Sequence, residues 1–183
     1  MRCLALALLL LAAACSESSD PKPTATPAIA GVQTFSGLSH DHMGKGEYPQ
    51  NYPQSPPVGG AHSPVWLACG VYDQAVPKEA AVHSMEHGAI WITYQPELGE
   101  PGKELVKQLA ALNPEYVLVS PYSGQDPPVV ASTWGLQLKA PLAADSRLVA
   151  FIKQYAGGNQ GGEQGVGCVR GGVTPAQALA AQN

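Results

Sequence analysis

The sequence predicts an α+β fold: a small mixed sheet with helices packed on one face, preceded by a Pro/Gly-rich ordered loop. Residues 89–94, 116–120 and 129–138 are short runs rich in β-branched and aromatic side chains, with Pro or Gly close to each end. Leu105, Leu109 and Leu112, and later Leu148, Phe151, Ile152 and Tyr155, recur instead at helical spacing. The resulting order, strand–helix–strand–strand–helix, lays helices against a sheet. Upstream, residues 44–64 carry Tyr48-Pro49, Tyr52-Pro53, Pro56-Pro57 and Gly59-Gly60. Prolines at that density forbid a regular helix or a central strand and leave an extended loop.

The elements follow in chain order. Met1-Arg2, the apolar run from Leu4 to Leu11 and Ala12-Ala13-Ala14 read as a signal peptide over residues 1–14, too short to remain as a membrane span. Cys15 directly after them resembles the lipidated cysteine of a bacterial lipoprotein, with Ala12 where that motif more often has Leu; an ordinary signal peptide with Cys15 incidental is the alternative. A diacylated anchor holds a protein stably on a membrane. The expected location is therefore extracytoplasmic, lipid-anchored to the bacterial cell membrane on the periplasmic side or the cell surface. Residues 15–38, rich in Ser, Thr and Pro, predict a disordered tether. Residues 39–157 suffice for one compact domain, and 158–183 form a Gly-rich tail.

Within the domain, the Pro/Gly loop carries His62 near its far end. Residues 79–87 predict a short helix, with Glu79, Ala80 and Ala81 as good formers and Gly88 as its stop. A strand at 89–94 ends before Pro96, and a helix over 102–113 ends at Asn113-Pro114. Pro121 closes the strand at 116–120, and 129–138 reads as one strand bulged at Gly135. Gly157-Gly158 terminates the last helix.

Formal net charge is −4, with no Lys/Arg cluster, which argues against a nucleic-acid-binding surface. Of 4 cysteines, Cys3 falls in the signal and Cys15 would carry lipid. That leaves Cys69 and Cys168 as a pair which, in an oxidising compartment, predicts a disulfide tying the tail back. The rival reading has one or both thiolates on a metal.

All 5 histidines fall between residues 40 and 87, as His40-Asp41-His42-Met43, His62 and His83-Ser84-Met85-Glu86-His87. Imidazole is the commonest protein metal ligand and needs partners brought together by the fold. His83 and His87 lie four apart, so on a helix their rings leave one face. His40 and His42 alternate by two, so on an extended segment they share a side while Asp41 points away. His40, His42, His62, His83 and His87 are the expected ligands, with Met43 as a soft one; Asp41 and Glu86 are expected to orient the rings. Met85 sits on a different helical face and is expected in the core. Thioether with imidazole suits copper, especially Cu(I), whereas an all-imidazole set suits Cu(II) or zinc. Copper buffering, delivery or tolerance is the expected function, with a copper-donating or copper-accepting protein as partner.

A second reading is catalytic. His83-Ser84-Met85-Glu86-His87 matches H-x-x-E-H, in which two histidines hold zinc and the glutamate activates water. Such a site needs a third ligand; Glu163 lies at a suitable distance along the chain, but in a glycine-rich stretch poorly suited to holding geometry. A third reading is a structural or interaction lipoprotein without metal. No Gly-rich phosphate loop, G-x-S-x-G elbow or C-x-x-C pair is present.

The motifs Pro56-Pro57-Val58-Gly59-Gly60-Ala61-His62, Pro64-Val65-Trp66, Cys69-Gly70-Val71-Tyr72, Val82-His83-Ser84-Met85-Glu86-His87-Gly88-Ala89, Val119-Ser120-Pro121-Tyr122 and Ala131-Ser132-Thr133-Trp134-Gly135 together resemble an uncharacterised bacterial extracytoplasmic family of unknown function, number 3105. The resemblance runs from about residue 40 to the last helix. It implies that His40, His62, His83 and His87 belong to a shared site, that Met85 packs where relatives usually carry Leu, and that Cys69 pairs with Cys168. It names no activity and lends no support to a peptidase.

Overall fold

The computed structural model describes residues 28–48, 50–163 and 165–182. The expected signal segment, Cys15 and the first part of the tether lie outside them. A six-stranded mixed sheet runs in the order β1-β6-β5-β3-β4-β2. Its strands are β1 (Val32–Thr34), β2 (Gly70–Val71), β3 (Ile90–Tyr94), β4 (Val117–Pro121), β5 (Val129–Thr133) and β6 (Leu136–Ala140). β3 pairs parallel with β4 and antiparallel with β5, which makes the sheet mixed.

The α+β class follows, and the helices fall on both faces. Ile90, Ile92, Val117 and Val119 meet α2 (Glu100–Gln108), the 3-10 turn Leu109–Leu112 and α3 (Ser146–Tyr155), with Val106, Leu148, Phe151 and Ile152 buried on that side. Trp91 and Leu118, one residue out of step, point to the other face. There they pack with Ala80, Ala81, Val82 and Met85 of α1 (Lys78–Glu86) and Ala178 of α4 (Pro175–Gln182). Every residue of β3 and of β4 is buried. The expectation of helices on one face is corrected here: strands covered on both sides show a near-continuous apolar run rather than alternation. Among the described residues no helix is long and apolar enough to cross a membrane.

Three further expectations need correction. Residues 129–138 form a hairpin rather than one bulged strand, because Thr133 pairs with Leu136 across the two-residue turn Trp134-Gly135. Gly135 sits at φ 70°, the left-handed conformation that such a turn draws on and that a side chain resists. Residues 32–34, within the expected tether, pair antiparallel with β6 and set Val32 against the core. The tail is not merely glycine-rich: Thr174-Pro175-Ala176-Gln177 caps α4. The Thr174 Oγ1 accepts from Gln177 N at 3.3 Å, and the Gln177 Oε1 accepts from Thr174 N at 2.9 Å.

The Pro/Gly loop is ordered and partly buried, as expected. Gly135 N donates to Val58 O at 2.7 Å, Gln137 Nε2 to Pro56 O at 3.0 Å and Tyr52 Oη to Ala61 O at 2.7 Å. These bonds carry the chain from the β5–β6 hairpin to the C-terminal end of α1. Cys69 and Cys168 form a disulfide that holds the tail beside β2.

Candidate metal centre

Four segments converge at the end of α1. The extended stretch at 40–43 runs parallel to residue 62, with Met43 N donating to His62 O at 2.7 Å and His62 N to Asp41 O at 3.0 Å. Extended backbone sends alternate side chains to opposite sides. His40 and His42 accordingly face Glu86, while the Asp41 carboxylate takes the Ser39 hydroxyl at 2.6 Å. α1 supplies His83, Glu86 and, as its cap, His87. The helical repeat brings the His83 and His87 rings into a stack with their Nε2 atoms 3.0 Å apart. The tail supplies the fourth segment: Glu163 Oε2 lies 3.4 Å from His87 Nε2 and 3.9 Å from His83 Nε2.

Two overlapping donor groups result. His42, His62, His83 and Glu86 place one ligand atom each within 4.8 Å of one another, and so do His83, His87 and Glu163. Nitrogen or oxygen bonds to a first-row ion are about 2.0–2.2 Å long, so donors sharing an ion stand roughly 3–4 Å apart. His62 Nε2 to Glu86 Oε2 is 2.8 Å and His42 Nε2 to Glu86 Oε2 is 3.8 Å.

Proton bookkeeping shows why these groups fit a cation. His62 Nδ1 lies 2.8 Å from Gly60 O, and His83 Nδ1 lies 2.7 Å from Ser63 O. A carbonyl accepts and cannot donate, so each Nδ1 carries the ring proton and each Nε2 presents a lone pair. Burial lowers the His62 pKa below its usual value, outweighing the Gly60 hydrogen bond and the Glu86 charge, which raise it. The bare His62 Nε2 therefore faces the Glu86 carboxylate, acceptor against acceptor, inside the protein. Neither His62 Nε2 nor Glu86 Oε2 has a hydrogen-bond partner among the described residues, and His87 Nδ1 is likewise buried without one. Unpaired buried acceptors are costly, and a metal ion between them removes the cost. Glu86 is fixed from its other oxygen, where His40 donates from Nδ1 to Oε1. The donor set fits a transition ion on chemistry as well as distance.

Burial also pushes His83 down, to about 3, reinforced by the neighbouring His62, and pushes His87 down. The unfolded chain takes up protons on these rings near pH 6.5 while the folded chain does not, so stability rises with pH. The metal-free protein is therefore expected to lose stability as pH falls through about 6.5 and on toward 3. A urea midpoint that drops steadily between pH 7.5 and 5 checks this; a flat profile over that range would refute it.

Tryptophans wall the site. His40 stacks on Trp134 with centroids 4.5 Å apart, and Trp66 lies 4.5 Å from His87 and 5.3 Å from His83. Among residues singled out in the sequence, Met85 is fully buried in the core, and Met43 is buried with its sulfur accepting from Gln50 Nε2 at 3.7 Å. Glu86, expected to orient rings from behind, puts its carboxylate among the donors. Glu163, discounted for its glycine-rich surroundings, reaches His87. Those glycines are what allows it: a Cβ on Gly161 would lie 2.3 Å from Glu86 O. The tail can press against the end of α1 only without a side chain there.

Neither the curated proteins nor the solved structures include a match to this chain. A family model does match, over residues 45–170, a span that holds His62, His83, Glu86, His87, Glu163 and both disulfide cysteines. The chain with this histidine–glutamate cluster belongs to the family described as Protein of unknown function (DUF3105).

Proposed function

We propose that this protein binds copper outside the cytoplasm, anchored through lipid on Cys15, and serves in copper buffering, delivery or tolerance. The observation that carries the reading is the buried contact of His62 Nε2 with Glu86 Oε2 at 2.8 Å, neither atom having a hydrogen-bond partner among the described residues. Imidazoles with one carboxylate suit Cu(II) or zinc, and at such a nitrogen–oxygen site copper binds more tightly than zinc. The Met43 sulfur is engaged by Gln50, which shifts the expectation from Cu(I) toward Cu(II). The reading includes a copper-donating or copper-accepting partner protein.

The test is elemental analysis of the purified full chain after incubation with equal copper and zinc and desalting. Near-stoichiometric copper is expected, lost in a His62→Ala/His83→Ala variant. Zinc alone, or no metal, would overturn the copper reading.

One observation favours a second reading, a zinc hydrolase built on H-x-x-E-H. Glu163 stands where a third zinc ligand beside His83 and His87 is needed. Against it, Glu86 would have to activate water at that ion, yet it is buried and directed at His40 and His62. Zinc-dependent peptide hydrolysis lost in Glu86→Gln would establish this reading instead.

A further inference from the structure

We propose that the site is a two-position relay for a single ion, pivoting on His83, with Glu163 as the port through which the ion enters and leaves. The inference rests on the metal-binding reading above and adds a route to it.

His83 belongs to both donor groups. Its Nδ1 proton is held by Ser63 O at 2.7 Å, so the ring has one lone pair, on Nε2, for either group. Both positions cannot be complete at once. An ion held by His42, His62, His83 and Glu86 has three buried ligands, His62, His83 and Glu86 at 0%, 3% and 2% exposed, and one exposed ligand, His42 at 44%. An ion held by His83, His87 and Glu163 has one buried ligand fewer, His83 and His87 being buried and Glu163 48% exposed, so it is held less fully. The shared nitrogen lets the ion exchange one ligand set for the other without being released from His83.

A second observation, independent of the spacing, points to the outer position. His87 is 6% exposed, yet its Nδ1 has no partner among the described residues and its Nε2 is directed at His83 and Glu163. With His83 Nε2 bare, a proton on His87 Nε2 satisfies that contact and leaves the buried Nδ1 as an unpaired acceptor. An ion at the outer position takes the place of that proton between the two Nε2 atoms, which stand 3.0 Å apart, and the proton moves to Nδ1. Glu163, 48% exposed, brings a negative charge that draws a cation toward His83 and His87. It rides on a segment whose approach to α1 depends on Gly161.

The experiment uses the full chain and copper(II) chloride, with EDTA as the acceptor and tryptophan fluorescence as the readout in a stopped-flow instrument. Trp66 and Trp134 lie against the site, so bound Cu(II) quenches them. Wild type is expected to saturate at one ion. Glu163→Gln is expected to slow loading and EDTA-driven release together, each at least tenfold, whereas loss of an ordinary ligand would speed release. Glu163→Asp should restore much of the rate.

Two ions bound with similar affinity would overturn the relay, as would wild-type rates in Glu163→Gln. A Kd weakened tenfold or more in that variant would also overturn it, by making Glu163 an ordinary ligand of a single site. All three outcomes leave metal binding standing. No copper bound by wild type would sink both the relay and the reading beneath it.

Discussion

Glu86→Gln is expected to raise the copper Kd by more than about 100-fold, beyond the 10–100-fold typical of residues that merely support a ligand. The substitution keeps the shape and removes the charge at the centre of the cluster. It should also stabilise the metal-free protein. In the native chain the buried carboxylate faces the bare Nε2 of His62. A glutamine amide can donate to that nitrogen, converting an unpaired contact into a hydrogen bond and adding about 1–2 kcal/mol. The two changes run in opposite directions. Calorimetry would show a melting temperature a few degrees higher without copper and much less copper-induced stabilisation, which scales as RT ln(1 + [L]/Kd). A variant that is less stable without metal would mean that Glu86 is a structural ion-pair centre rather than a ligand.

The Cys69→Ala/Cys168→Ala variant carries the other large effect. The bond joins positions 99 residues apart, and closing a loop of that size constrains the unfolded chain strongly. Removal is expected to cost about 2–5 kcal/mol. The loss should reach the site as well, because the tail that the disulfide pins also holds Glu163 near His87. Denaturant unfolding reads the first effect and the rate of copper transfer to EDTA reads the second. Unchanged stability would show that Cys168, fully buried, is held by its backbone contacts with Glu115 and Cys69 alone.

The sequence displayed those parts of the fold whose cause is local. β3 and β4 are continuous runs of sheet-forming residues between breakers, and α1 places His83 and His87 one turn apart by helical geometry alone. The pairing of His40 with His42 also followed from alternation along an extended segment. What escaped depended on distant partners. Residues 32–34 carry little of their own to announce a strand and become β1 because β6 offers an open edge. The split at Trp134-Gly135 hinges on a turn whose sign is visible once Thr133 meets Leu136. Two missed features did leave local traces. The largely apolar β3 and β4, broken only by Thr93 and Ser120, signal cover on both faces, and Thr174 with Gln177 three residues on marks a helix start. Glu163 was visible as a possible third ligand of the H-x-x-E-H motif, but its placement depends on Gly161 against the backbone of Glu86, which no local pattern announces.

The arrangement of the cluster sets an order in time. Its donors are gathered from residue 42 to residue 163, and the outermost is supplied by the tail that Cys168 fastens down. Synthesis delivers Glu163 and Cys168 after every histidine has been made. A growing chain can therefore expose its imidazoles without offering the complete outer position to passing ions. On the proposed reading, exchange through that position waits until Glu163 and Cys168 are in place, so the fastening of this segment and competence to trade metal would coincide.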